Sequence, residues 1–161
     1  LGEHGWFDKR WMYENSLHTP LLVRWPGVTE PDSVNTDLVS NLDFAATFLD
    51  IAAAPIPNEM QGRSLVPMLR GTTPSDWRKS FYYHYYEAGG HGVPIHYGVT
   101  DGNHKLVRFP DKHLDTWELF DLSNDPNEMR SVYQETEYAD TVQEMKKELN
   151  RLRGDLRLND N

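Results

Sequence analysis

Four short runs rich in aromatic and β-branched residues lie between residues 80 and 122, and this pattern constrains the fold more than any other feature of the chain. The runs cover residues 80–86, 97–100, 105–109 and 117–122. Such runs, bounded by Gly, Pro, Asn and Asp, are typical of β-strands. Asp101-Gly102 predicts a tight turn between the second and third strands, because glycine accepts a positive φ. The region is therefore predicted to form a small antiparallel sheet.

A helical pattern follows these strands. Its apolar residues recur at steps of three and four, as expected of a helix with one buried face; they are Tyr138, Val142, Met145, Leu149 and Leu152. The preceding residues 124–127 have the composition of a turn. A helix that covers an antiparallel sheet is an α+β arrangement.

Residues 1–27 combine charged and aromatic side chains with one short apolar run. Leu21, Leu22 and Val23 form that run, which prolines bound on both sides, and it is predicted to be a buried strand. α/β enzymes commonly place site residues in polar loops next to such strands. Charged loop residues are nonetheless more often only solvated, so both interpretations of the stretch are open at this point.

A second helix is predicted after residue 40. Ser40 and Asp43 resemble a helix N-terminal cap, and Phe44 and Phe48 give the helix an apolar face. Asp43 and Asp50 are seven residues apart and share one face, and both are expected to point into solvent rather than to bind a metal. Residues 62–71 predict one or two further helical turns.

Composition excludes several classes of protein. The 161 residues include no cysteine, so disulfides and thiol chemistry are excluded. A formal net charge of -9 argues against a nucleic-acid partner, and the absence of a long unbroken apolar run argues against a membrane span. The seven histidines lack paired-ligand spacing, which argues against a zinc site. The chain opens on Leu1 within a motif, so it is expected to be truncated, and no signal peptide can be read from it.

Two groups of motifs resemble the formylglycine-dependent sulfatases of the alkaline-phosphatase superfamily. The first group is LGEHGWFDKR, then Tyr13-Glu14, then TPLLVRWPG. The second is FYYHYYE, HYGV, HKLVRF and WELFDLSNDPNEM, which resemble the family's C-terminal subdomain. His18 departs from the pattern, because many relatives carry Arg there. The resemblance covers nearly the whole chain.

The resemblance implies a fold and a set of site residues. The fold class is α/β: residues 1–74, up to a boundary near Pro74, would be the C-terminal portion of an alkaline-phosphatase-like sulfatase catalytic domain. Residues 75–161 would be an α+β subdomain with a small antiparallel sheet covered by a C-terminal helix. Lys9 is the expected catalytic residue, since it occupies the position of a lysine that contacts the sulfate ester. His4 and His96 are the expected substrate-binding residues, and His96 closes a glycine-rich loop at residues 87–96.

Arg10 and Glu14 are expected to hold the segment around Lys9 through charged hydrogen bonds rather than to react. The resemblance also implies cofactors, namely calcium and a formylglycine made within a C/S-x-P-x-R motif. Neither that motif nor the expected metal ligands occur in this sequence. Both are therefore expected outside this chain, and the chain by itself is expected to be inactive.

The implied function is hydrolysis of a sulfate ester, on a sulfated carbohydrate. The expected partners are a sulfated saccharide or aryl sulfate substrate and the upstream part of the same protein, with no nucleic acid and no membrane. By resemblance the location would be periplasmic, secreted or lysosomal. Two alternatives stay open: a phosphodiesterase or phosphonate hydrolase of the same superfamily, and a carbohydrate-binding module without catalytic activity.

Overall fold

The structure is a computed structural model, and it describes residues 2–5, 9–87, 92–110 and 114–158. The chain divides into two compact units. The sheet unit comprises Leu1–Pro20 and Ser80–Asn161, and the helical unit comprises Leu21–Lys79. Compact units are not the same as domains of a larger protein, so the predicted assignment of residues 1–74 and 75–161 to two domains stays a prediction.

The secondary structure of the described residues consists of four helices, four strands and two short 3-10 turns. The helices are α1 (Glu14–Leu17), α2 (Leu42–Ile51), α3 (Val66–Leu69) and α4 (Ala139–Asp155). The strands are β1 (Phe81–Tyr85), β2 (His96–Thr100), β3 (His104–Phe109) and β4 (Thr116–Asp121), and the 3-10 turns are Glu3–Gly5 and Thr136–Tyr138. The strands form one antiparallel sheet in the order β1-β2-β3-β4. The predicted antiparallel sheet with a C-terminal helix is confirmed.

Helix α4 covers one face of the sheet. The buried residues of this layer are Val142, Met145 and Leu149 of α4 and Val99, Leu106 and Leu119 of the strands. The three helix residues belong to the stripe predicted from the three-and-four spacing. Apolar side chains that alternate along a strand face one side of a sheet, so the remaining strand residues need a second cover.

Residues near the N-terminus provide that second cover. Trp11, Met12 and Tyr13 are buried against Tyr85, Val93, Val107, Phe109 and Phe120. The chain then enters α1. The carbonyl oxygen of Tyr13 accepts hydrogen bonds from the backbone N–H groups of Ser16 and Leu17 there, at 2.9 and 3.0 Å. The sheet is therefore the middle layer of three, with α4 on one side and residues 11–17 on the other.

Gly98 makes the contact between β2 and Met12 possible. A Cβ atom at this position would lie 2.6 Å from Met12 Sδ and 2.2 Å from the carbonyl oxygen of Leu106. Both distances are far below van der Waals contact, and the second involves backbone that cannot rotate away. The glycine in the HYGV motif is therefore needed for close packing of the N-terminal segment on the sheet.

The helical unit contains α2 and α3, and both helices were predicted. The prediction that Asp43 points into solvent is wrong, because its side chain is 0% exposed. Arg78 donates two hydrogen bonds to it, Nη1 to Oδ2 at 2.5 Å and Nη2 to Oδ1 at 2.6 Å, and the backbone N–H groups of Ser40 and Arg63 donate to it as well. Burial alone would raise the pKa of Asp43, but the hydrogen bonds from Arg78, Arg63 and Ser40 lower it below its usual range.

The strand predicted at residues 21–23 is also wrong. The structure has no strand there, and Leu21, Leu22 and Val23 are 44%, 92% and 44% exposed. A strand needs a neighbour to accept and donate its backbone hydrogen bonds, and the sheet that the structure describes contains only β1 to β4. The expected apolar face of α2 is exposed too: Phe44 and Phe48 are 37% and 68% exposed.

Among the described helices, none combines the length and the apolar character required to cross a lipid bilayer.

Candidate functional site

The candidate site is built on residues 9–14, called the site segment below. Lys9 is exposed, whereas Trp11, Met12 and Tyr13 are 4%, 1% and 9% exposed. The segment therefore begins with a cation in solvent and continues directly into the core of the sheet unit. A cation at the end of a packed segment has its backbone fixed while its ammonium group stays accessible.

Two hydroxyl groups tie the site segment to the sheet. Tyr83 on β1 donates from its hydroxyl to the carbonyl oxygen of Arg10 at 2.5 Å. Tyr13 donates from its own hydroxyl to Glu118 Oε2 on β4 at 3.0 Å. The segment thus crosses the sheet from the β1 edge to the β4 edge, with a directional bond near each end.

A group of three charged residues, called the ion cluster below, holds the end of the segment; Lys105 and Glu128 are buried, and Glu14 is partly exposed. It consists of Glu14, Lys105 and Glu128. Lys105 is 0% exposed, and its Nζ lies 2.7 Å from Glu14 Oε1 and 2.6 Å from Glu128 Oε1. The backbone N–H of Glu14 also donates to Glu128 Oε2 at 2.5 Å. Glu14 therefore holds the segment through an ion pair from its side chain and a hydrogen bond from its backbone to a charged group, as expected, whereas the same role for the Arg10 side chain stays a prediction.

Electrostatics keep the Tyr13–Glu118 pair in its hydrogen-bonding form. Burial, together with the nearby charge of Glu118, raises the pKa of Tyr13, so the phenol stays a donor at neutral pH. Burial also raises the pKa of Glu118, against the opposing effect of the hydrogen bond from Tyr13. This side of the site segment therefore has a low effective dielectric, in which directed hydrogen bonds are strong.

His4 stacks on Tyr13, with ring centroids 4.3 Å apart and an interplanar angle of 14°. Its backbone adopts φ 57 and ψ 10, a left-handed conformation that is uncommon for residues other than glycine. Its Nε2 is buried and has no hydrogen-bond partner among the described residues. A strained residue with an unused polar atom is consistent with a binding role, and His4 as a substrate contact stays a prediction.

His96 lies inside the core rather than at the surface. Its ring is 0% exposed and stacks on Trp11 at 5.5 Å, with Phe109 at 5.4 Å. Its Nδ1 donates to the carbonyl oxygen of Pro94 at 2.9 Å, and burial lowers its pKa, which keeps the ring neutral. A ring without exposed surface supports Trp11 and does not reach a sugar in this conformation. His96 as a substrate contact stays a prediction, and residues 88–91 of its loop lie outside the described residues.

The structure brings the predicted site residues together only through the site segment. His4 contacts Tyr13, His96 contacts Trp11, and Lys9 lies just ahead of both. Lys105, Glu118 and Glu128 were missed as parts of the site. The alternation along β3 could have indicated Lys105. It lies two and four residues before Val107 and Phe109, so its side chain points to the same buried face of the strand.

The described residues, ranges 2–5, 9–87, 92–110 and 114–158, include no group of three or more His, Cys, Asp or Glu side chains placed to hold a metal ion. The ion cluster is not a metal site either, because Lys105 occupies the space between its two carboxylates. These residues consequently do not fit the calcium that the sequence resemblance implies.

Comparison with known proteins gives a family match and close relatives. The family model described as "N-sulphoglucosamine sulphohydrolase, C-terminal" matches residues 2–155. An N-acetylglucosamine-6-O-sulfatase of Bacteroides thetaiotaomicron is 45% identical over 148 residues, which are 90% of this chain and 26% of that protein. The chain therefore spans about a quarter of the length of this curated relative.

Two solved structures are informative. One, of a protein in complex with its substrate D-glucosamine-2-N,6-O-disulfate, aligns with a TM-score of 0.93 and 42% identity over 99% of this chain and 33% of that chain. The other is a phosphonate monoester hydrolase from Silicibacter pomeroyi, with a TM-score of 0.76 and 28% identity over 90% of this chain and 30% of that one. The arrangement of sheet, α4 and site segment is thus found within proteins that are about three times longer.

Proposed function

Because this chain belongs to the family of N-sulphoglucosamine sulphohydrolase C-terminal domains, we propose that the protein containing it is a sulfatase. The proposed substrate is a glucosamine residue that carries a 6-O-sulfate, in a sulfated saccharide. The relative named N-acetylglucosamine-6-O-sulfatase and the structure containing D-glucosamine-2-N,6-O-disulfate support this substrate class.

The observation that carries the proposal is the exposed Lys9 at the head of a segment that is fixed from Arg10 to Glu14. Negative charge develops on the sulfate oxygens and on the leaving oxygen as the ester bond breaks. An ammonium group already aimed at these oxygens stabilises that charge without reorganising during the reaction, which is usually the largest catalytic contribution. His4, stacked on Tyr13 with its Nε2 unused, is the proposed second contact to the substrate.

Calcium and formylglycine are proposed to come from outside this chain. The chain has no cysteine, and its described residues do not fit a metal site. We therefore assign Lys9 the role of charge stabilisation only, and we expect the 161-residue chain by itself to give no turnover of an aryl sulfate.

The proposal is tested in the longest open reading frame that contains this chain. The purified protein, supplied with calcium and a formylglycine-generating enzyme, should release sulfate from N-acetylglucosamine-6-sulfate. Lys9→Ala should lower kcat/KM by roughly a hundredfold, the scale of removing one preorganised charge-stabilising group. The matched control is Lys147→Ala, an exposed lysine on α4, which should leave kcat/KM unchanged. A loss below about threefold for Lys9→Ala would make Lys9 an ordinary surface lysine.

A phosphonate hydrolase is the second candidate, and the alignment with the Silicibacter pomeroyi enzyme is the observation that favours it. The same protein is assayed with a phosphonate monoester at equal concentration. The sulfatase proposal expects the sulfate ester to have the higher kcat/KM, and the reverse preference would replace it. Saccharide binding without turnover of either ester would instead indicate a carbohydrate-binding module.

A further inference from the structure

The ion cluster takes no part in the chemistry proposed above, yet only four residues of chain separate Glu14 from Lys9. We infer that Lys105 is a positioning residue: together with Glu128 it fixes Glu14, and so it sets where Lys9 projects. This inference rests on the proposed contact between Lys9 and the sulfate.

The cluster fixes orientation in a way that apolar packing does not. Lys105 Nζ contacts one oxygen of each carboxylate, and the second oxygen of Glu128 accepts from the backbone N–H of Glu14. Glu14 is thereby held by both its side chain and its backbone. Hydrophobic contacts are non-directional, so burial of Trp11 and Met12 defines the orientation of Glu14 less closely than these charged contacts do.

The cost of burying charge supports a positioning role over a stabilising one. Lys105 is completely buried, and Glu128 is 2% exposed. Removing an ammonium and its carboxylates from water carries a desolvation penalty that their attraction need not repay, and well-packed apolar residues often stabilise a fold as well or better. What such a cluster supplies beyond apolar packing is a defined geometry for the groups that it binds.

The geometry set at Glu14 is transmitted to Lys9 through a segment with little freedom. The intervening residues are packed in the core or hydrogen-bonded, with Tyr13 donating to Glu118 and Arg10 accepting from Tyr83. A shift at Glu14 would therefore move the whole segment rather than dissipate in a flexible loop. Displacing a catalytic group by about 1 Å can lower a rate by about a hundredfold.

A double-mutant cycle in the full-length protein tests the inference. Lys105→Met replaces the ammonium with an apolar side chain of similar length, and it is measured in the wild-type and in the Lys9→Ala background. We expect it to lower kcat by about tenfold in the wild-type background and by less than about twofold when Lys9 is absent, because Lys105 acts through Lys9. KM should change less than kcat, since the charge on Lys9 acts in the transition state.

The matched control is Lys146→Met on α4. Lys146 contacts Trp117 and donates to the hydroxyl of Tyr133, so it is also a partly buried lysine, but it contacts no residue of the site segment. We expect it to leave kcat within about twofold of wild type in both backgrounds. Melting temperatures of all variants identify losses that are caused by unfolding.

A rescue variant keeps the test decisive if Lys105→Met folds poorly. In Lys105→Met/Glu128→Gln no charged carboxylate is left at residue 128 without its cation, and the amide oxygen of Gln can still accept from the Glu14 N–H. We expect this variant to recover most of the lost kcat. Equal fold losses for Lys105→Met in the two backgrounds, with Lys9→Ala strongly impaired, would overturn the inference alone. A negligible effect of Lys9→Ala would contradict the proposed function, and the inference with it.

Discussion

The two compact units differ in how completely they bury their apolar residues. The sheet unit buries two layers, one under α4 and one under the site segment. The helical unit buries few large apolar side chains, mainly Leu65, Val66 and Trp77, and it contains most of the exposed large apolar residues among the part of the chain that the structure describes. The sheet unit has a core of its own, whereas the helical unit leaves most of its large apolar side chains exposed.

The exposed apolar residues of the helical unit bear on what contacts this unit in the whole protein. A large exposed apolar patch commonly marks a surface that another polypeptide, a ligand or a membrane covers. Since the chain spans about a quarter to a third of the length of its relatives, we propose that the remaining part of a sulfatase chain covers the helical unit. The site segment would then lie on the self-sufficient unit, which holds Lys9 in place whether or not the other unit is covered.

The largest expected effect comes from the core of the sheet unit. Leu119→Ala removes a side chain that is 0% exposed, and it should lower the free energy of unfolding by about 2–5 kcal/mol. The matched change in the helical unit is Leu22→Ala, at a side chain that is 92% exposed. It should change the free energy of unfolding by less than about 0.5 kcal/mol. Urea unfolding followed by circular dichroism measures both, and similar losses would erase the difference between the units.

The next effect concerns the ion pair between Arg78 and the buried Asp43 in the helical unit. Arg78→Met leaves the carboxylate of Asp43 buried without its cation, and it should destabilise this unit by about 2–3 kcal/mol. Arg78→Lys is the control, because it keeps the charge but loses the paired hydrogen bonds, and it should cost less. Protection of α2 amides from hydrogen exchange reports the change, and unchanged protection in Arg78→Met would contradict this role.

Lowering the pH should destabilise the helical unit more than the sheet unit. The pKa of Asp43 is lowered in the folded state, so its carboxylate contributes stability at neutral pH that is lost as the pH falls through that lowered pKa. The pKa of Glu118 in the sheet unit is raised, so its contribution has the opposite sign: it is present at low pH and is lost as the pH rises through the raised pKa. Hydrogen exchange between pH 7 and about pH 3 should therefore show the helical unit opening first. Earlier opening of the sheet unit would contradict these assignments.

A small effect on stability is also expected from a second exposed apolar residue of the helical unit, Phe48. Phe48→Ser removes a ring that is 68% exposed and should change the free energy of unfolding by less than about 1 kcal/mol. It should nevertheless reduce self-association of the isolated chain, measured by light scattering, because it interrupts the uncovered surface. The same substitution at buried Phe109 is the contrast, and it should unfold the sheet unit.

The elements that local pattern determines were predictable from the sequence. The strands, α4 and the stripe of Val142, Met145 and Leu149 depend on neighbours a few residues away, and the sequence shows them directly. The ion cluster was not predictable, because Glu14 and Glu128 are 114 residues apart and only the fold brings them together. The strand at residues 21–23 failed for a related reason: an apolar run forms a strand only where another strand accepts its hydrogen bonds.

Hydrogen exchange of the isolated 161-residue chain tests the difference between the units most directly. We predict slow exchange in β2, β3 and β4 and at the amide of Leu17, which donates to Tyr13 O, because the sheet unit and its site segment are stable by themselves. We predict much faster exchange throughout α2, whose Phe44 and Phe48 are exposed. Equal protection of α2 and β3 would contradict the account, because the helical unit would then need no further polypeptide to be stable.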